Sequence, residues 1–187
     1  MITTKSIQMK FTYFLLAGLI LSACTNTSNT EVDSKTTPVE ESMNNTIDST
    51  ASEDVKFKSK GIQTIYNAYE KLRDALVATD YETAKSFAKD LSEALKADES
   101  TWQQASIADG ILNAGEIEAA RAVFSELNNS MESVFEGAVE SGEINKCFCP
   151  MALDNQGASW FSSTKEIKNP YFGDKMLKCG VVKKTIK

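Results

Sequence analysis

The stretch IEAARAVFSELNNSMESVFEGA, residues 117–138, decides the fold. Within it Ile117, Ala120, Phe124, Leu127, Met131, Val134 and Ala138 recur at alternating steps of three and four. That period places them on one face of a helix. Glu140-Ser141-Gly142 follows, and Gly142 suits a left-handed C-cap. Upstream, Trp102, Ala105, Ala108 and Leu112 predict a third helix, bent or broken near Asp109-Gly110. Before it, Thr79-Asp80-Tyr81-Glu82 has the form of a capping box. It opens a helix whose apolar stripe is Ala84, Phe87, Ala88, Leu91 and Leu95. Ile62, Ile65, Tyr66, Tyr69, Leu72 and Leu76 make the first stripe. Short connections force successive helices to run antiparallel. The fold class is mainly α, an up-and-down four-helix bundle over residues 55–142.

The texture changes after Gly142. Ala158-Ser159-Trp160-Phe161 reads as a short strand, Asn169-Pro170-Tyr171-Phe172-Gly173 as a turn, and Val181 to Ile186 as a final strand. Residues 143–187 form a small irregular or β cap on one end or side of the bundle. It carries the sulfur: Cys147-Phe148-Cys149-Pro150-Met151, then Lys175-Met176-Leu177-Lys178-Cys179-Gly180. The chain has no histidine, so any soft-metal site here is built from thiolate and thioether. Such a set favours Cu(I). Cys149 and Met151 share a face if that segment is extended, and Met176 and Cys179 share one on a helical turn. Zinc fits poorly, because closed zinc sites normally use four Cys or His ligands.

A disulfide competes for the same thiols. A Cys149–Cys179 bridge closes a loop worth roughly 3 kcal/mol in chain entropy. It leaves Cys147 over, and it does not require the flanking methionines. Bridges from Cys147 to Cys149 or Cys179 also remain open. Trp160, Tyr171 and Phe172 are ordinary core residues on the simplest reading, and a screen around a metal on the other.

The run Cys149-Pro150-Met151-Ala152, then Gly157-Ala158-Ser159-Trp160, then Lys165 through Gly180, resembles the tail of a bacterial domain-of-unknown-function family. Members have a helical bundle ahead of this tail. They occur alone on exported proteins, often in Bacteroidetes, or fused to periplasmic adaptor subunits of copper and silver efflux systems. The resemblance covers residues from about 58 to 187. It implies periplasmic copper handling, with Cys149, Met151, Met176 and Cys179 as the matching residues. Cys147 lies outside the pattern and is a candidate extra ligand.

The N-terminus sets the compartment. Lys5 and Lys10 precede an apolar run, Phe11 to Leu21, which is too short to span a bilayer. Leu21-Ser22-Ala23-Cys24 looks like a lipobox. Residues 1–23 therefore read as a lipoprotein signal peptide, with Cys24 as the lipidated first residue. Thr25 stands where an inner-membrane retention Asp would be, which favours an outer-membrane anchor facing the periplasm. Residues 24–54, with seven acids and one base, lack the apolar content to fold and read as a disordered acidic tether.

Past the leader, 18 basic side chains stand against 26 acidic ones. The excess is uneven: residues 142–187 carry eight bases and four acids. A body of this sign excludes a nucleic-acid footprint. The basic tail is expected to oppose the acidic helices. No histidine base and no Cys-x-x-Cys is present, so no enzyme is expected. Two functions remain: a lipid-anchored Cu(I) carrier that sequesters copper or passes it to an efflux adaptor, and a disulfide-stabilised helical interaction module with no metal role.

Overall fold

The computed structural model describes residues 55–187. The leader, Cys24 and the acidic tether lie outside the described residues. Helix α1 spans Lys60–Val77 and starts at Ser59, whose hydroxyl accepts from the Gly61 amide at 3.2 Å. Helix α2 spans Tyr81–Lys96. Its N-cap is Asp80, one residue later than the capping box predicts. The carboxylate accepts from the Thr83 amide at 3.0 Å and from the Thr83 hydroxyl at 2.7 Å. Thr79, at φ 59°, belongs to the turn. A short 3-10 turn leads into α3, Trp102–Leu112. This helix runs unbroken through Asp109-Gly110. Asp109 is held from α2 by the Ser92 hydroxyl at 2.6 Å and Lys96 at 2.8 Å, and Gly110 lets Val123 approach.

Helix α4 spans Ile117–Phe135 and buries Ala120, Phe124, Leu127 and Met131 completely. The stripe predicts a helix reaching Gly142, but α4 stops at Phe135. Gly137 takes φ 71° and turns the chain, so Ala138 sits in the turn. Val139–Ser141, strand β2, pairs antiparallel with Lys56–Phe57, strand β1, before α1. Each helix packs on the next, giving the expected up-and-down bundle with a small C-terminal sheet.

That sheet is three-stranded and antiparallel, in the order β4-β3-β5. Strand β3, Ile144–Cys149, is central, between β4, Ala158–Ser162, and β5, Val181–Ile186. The sheet lies along the bundle and shares its core. Phe161 packs edge-on against Tyr69 of α1 at 6.2 Å and Phe135 of α4 at 5.3 Å. Tyr69 also stacks on Phe124 at 5.6 Å, so sheet and helices close around one aromatic cluster. Such rings supply large apolar area and favour tilted or edge contacts.

Two polar links lock the sheet down. The Tyr69 hydroxyl donates to Asn128 Oδ1 at 2.6 Å and accepts from the Phe161 amide at 2.9 Å. Asn128 Nδ2 donates to the Tyr171 hydroxyl at 3.3 Å, which donates to the Ser159 carbonyl. This buried chain leaves each member satisfied, as burial demands. At the surface, Lys146 and Lys184 of the sheet reach Glu132 of α4 at 2.6 and 2.8 Å. The basic tail does oppose the acidic helix. These two lysines, Lys146 first, hold the Glu132 carboxyl below its usual range.

Candidate functional site: the Cys149–Cys179 sulfur pair

Cys149 ends β3 and is fully buried. Cys179 stands just before β5 and is partly exposed. Because β5 lies beside β3, the two meet: their sulfur atoms are 2.7 Å apart. The shared hydrogen bond with the Cys149 sulfur, and then desolvation, raise the Cys179 thiol above its ordinary range. Of the five sulfurs in the tail, these two are the pair brought into contact. Sequence spacing alone does not bring them together; the sheet order does.

The loop before Cys179 is built to hold it. Asn169 is fully buried, and its Nδ2 donates to the Cys179 carbonyl at 2.7 Å. Its Oδ1 accepts from the Tyr171 amide at 2.8 Å, and its own amide donates to Leu177 at 2.9 Å. Gly180, at φ 147°, lies where a Cβ would come within 2.7 Å of the Trp160 ring. Gly173, at φ 55°, fits against the end of α1, where a Cβ would meet Thr79 Oγ1 at 2.4 Å and the Val77 carbonyl at 2.8 Å. Asn169, Gly173 and Gly180 are thus backbone requirements of the loop, and Cys179 carries its chemistry.

Arg121 fastens this loop to the bundle. It lies in the apolar lane of α4, 4 % exposed. Its Nε donates to the Pro170 carbonyl at 2.8 Å, and Nη2 donates to the Leu76 carbonyl and Thr79 hydroxyl, both at 3.0 Å. Arg121 is not among the residues that the sequence singles out. Its position, one residue after Ala120 and three before Phe124, was the available signal. Replacing Arg121 by methionine strands the buried Pro170 carbonyl, while the Leu76 carbonyl keeps the Thr79 amide at 3.2 Å and the exposed Thr79 hydroxyl turns to water. The expected loss is about 1–3 kcal/mol in unfolding free energy, read by urea denaturation.

The methionines sit differently. Met151 is 45 % exposed. Strand β3 ends at Cys149, and after Pro150 the chain enters a turn in which Leu153, Asp154 and Asn155 all have positive φ. The extended segment that would put Met151 on the Cys149 face is absent. Met176 is half-buried, and its carbonyl accepts from the Cys179 amide at 3.0 Å, so the expected turn between them does form.

Cys147 is fully buried on the same strand face as Cys149, opposite Trp160. Its thiol points to the Asn145 carbonyl at 3.8 Å. Burial pushes it up to about 11, against a small opposing effect of Arg73. Cys179 is raised to about 11 as well, so what sets Cys147 apart as a poor ligand is its full burial opposite Trp160, away from an incoming ion. Trp160 and Tyr171 are core residues, packed edge-on at 6.1 Å, and Phe172 is half-buried. Among the described residues no three His, Cys, Asp or Glu side chains gather into a metal cluster. A metal at the sulfur pair would have to draw further ligands from methionine.

Residues 65–142 match the model of a family described as a protein of unknown function (DUF3347). The helical body, from within α1 to the turn after β2, is thus similar to that domain of unknown function. The match covers less than half of the 187-residue chain and stops before Cys147. It therefore bears on the bundle and is silent on the sulfur pair. No curated protein and no solved structure matches the chain.

Proposed function

We propose that the protein is a lipid-anchored copper-binding protein of the cell envelope, held by Cys24 at the outer membrane and facing the periplasm. Cys149 and Cys179 are the thiolate ligands for Cu(I), and Met151 and Met176 are weaker thioether ligands. The protein sequesters copper or passes it by ligand exchange to an efflux adaptor, and it catalyses no reaction. The observation that carries this reading is the convergence of two thiols at the surface, one buried and one partly exposed. The buried thiol is rigid, and the exposed one admits the ion. The exposure of Met151 suits a replaceable ligand that swings in.

The pair needs a small opening to load. With metal–sulfur bonds of about 2.3 Å, two sulfurs on one ion stand roughly 3.8 Å apart at a tetrahedral angle and about 4.6 Å apart when linear. From 2.7 Å, the Cys179 loop must move by roughly 1–2 Å. Cys149 is fixed in the central strand, so the movement falls to the partly exposed Cys179 and the 176–179 turn, against the Asn169 bonds that hold them.

A second reading has its own support. Sulfurs at 2.7 Å, with Met151 facing solvent, also suit a bridge that closes the tail over the bundle. Oxidation of the two thiols releases two protons and two electrons to an envelope thiol oxidant and leaves neither thiolate of the pair for copper. The protein would then be a stapled helical interaction module.

Anaerobic titration of the reduced full chain with Cu(I), against a chromogenic chelator, separates the two. The copper reading predicts one ion withdrawn from the chelator per chain. A reduced chain that withdraws none leaves the bridged module as the function.

A further inference from the structure

A cavity of about 480 Å³ opens between α4 and the tail. Its volume is that of a small-molecule site. One wall is the turn after Met151, with Leu153 and Asp154. The other is made by Phe172 and Lys175, and Arg121 and Glu118 of α4 also line the space. No role in sulfur chemistry or in the bundle core requires this space.

Arg121 gives the cavity its chemistry. Its Nε and Nη2 donors are used on Pro170, Leu76 and Thr79. Nη1 has only the Glu118 carboxylate, at 3.8 Å, and that side chain is 62 % exposed. A guanidinium held by three bonds through Nε and Nη2, in a side chain that lines the cavity, keeps the Nη1 hydrogens to donate to one oxygen of a carboxylate. Burial lowers its affinity for its own proton, so a closer anion would stabilise it. Lys175 adds a second, exposed positive charge at the mouth. Leu153 and Phe172 add apolar wall.

The backbone points the same way. Leu153, Asp154 and Asn155 take φ of 52°, 56° and 65° in succession. A branched apolar residue rarely adopts this conformation, and such outliers cluster at ligand sites. Here the turn carries Leu153 and Asp154 to the cavity wall.

We propose that this cavity binds a small monocarboxylate with an apolar body, the carboxylate on Arg121 Nη1 and the apolar end against Leu153 and Phe172. Glu118 and Asp154, which also line the cavity, repel a second negative charge, so dianions are excluded. The site is distinct from the sulfur pair and does not depend on copper.

The probe is sodium hexanoate, titrated into the isotopically labelled full chain and followed by amide chemical shifts at constant ionic strength. The expected result is saturable shifts at Ala122, Leu153 and Phe172 with a Kd on the order of 1 mM. Succinate binds at least about 5-fold more weakly, and hexylammonium does not bind there. Ala122 is exposed on α4, so Ala122→Phe fills the cavity from the surface. It weakens hexanoate by at least about 10-fold while other amides keep their shifts. Lys175→Glu, a surface change, weakens it by about 3-fold without touching the core. No saturable shift up to about 20 mM overturns the proposal. Equal binding of hexylammonium at the same amides overturns it too, as does a folded Ala122→Phe chain that binds hexanoate unchanged.

Discussion

A chain carrying Cys149→Ser and Cys179→Ser together retains no Cu(I) against a chelator that the parent chain outcompetes, a loss of at least about 1000-fold in affinity. The size follows from what remains. Thioethers are neutral and weak, and Met151 and Met176 alone cannot replace two anionic thiolates. Met151→Leu keeps the apolar volume and removes only the sulfur, so it costs about 10-fold or less. Serine at fully buried Cys149 adds a hydroxyl without a clear acceptor, at about 1–3 kcal/mol. The double variant stays folded at that cost, and circular dichroism of the apo chain checks it. If the pair serves only as a bridge, the outcome differs. The double variant then loses roughly 3 kcal/mol under oxidising conditions, and copper retention is absent in parent and variant alike.

Trp160→Ala is expected to have the largest effect on stability, about 3–5 kcal/mol. Trp160 is fully buried on β4, opposite Cys147, and packs on Tyr171. It also lies against Gly180, next to Cys179. Its loss leaves a cavity under the hinge of the Cys179 loop. With typical stabilities of about 5–15 kcal/mol, such a variant is marginal. Its Nε1 donor finds no acceptor among the described residues. Trp160→Phe therefore gives up volume and no hydrogen bond, and is expected to cost about 1–2 kcal/mol. Urea denaturation of both variants, with Cys179 alkylation rates alongside, tests the link between core and site. Alanine should speed alkylation; phenylalanine should leave it near the parent rate.

Much of the fold is legible in the sequence for a definite reason. The helical stripes 62–76, 84–95 and 117–134 are long and periodic, and burial follows them closely. The errors sit where the period carries no information. Ala138 continues the stripe in register, but Gly137 turns the chain first. Strand β3 went unread because its buried face includes polar Asn145 beside Cys147 and Cys149 while its other face carries apolar Phe148, so residue polarity does not follow the burial. Arg121 and Asn128 lie in an apolar lane, yet their partners are tens of residues away, at Pro170 and Tyr171. No local pattern encodes such contacts.

The site was half legible. Both thiols of the pair stand out by residue type, and the turn from Met176 to Cys179 forms as its spacing suggests. Their contact is a product of the β4-β3-β5 order, which brings residues thirty apart together. Met151 was misplaced because Pro150 ends the strand and a left-handed turn follows. The Asn169–Gly173 turn was legible as a turn, and its purpose, to hold the Cys179 carbonyl, was not.

The central claim is that Cys149 and Cys179 together hold one copper ion. The most direct measurement is alkylation of the reduced full chain with and without one equivalent of Cu(I), under anaerobic conditions, mapped by peptide mass. The account predicts that copper protects the partly exposed Cys179 and slows Cys149 further, and leaves the slow labelling of buried Cys147 unchanged. Labelling of Cys179 at the same rate with and without copper would contradict it.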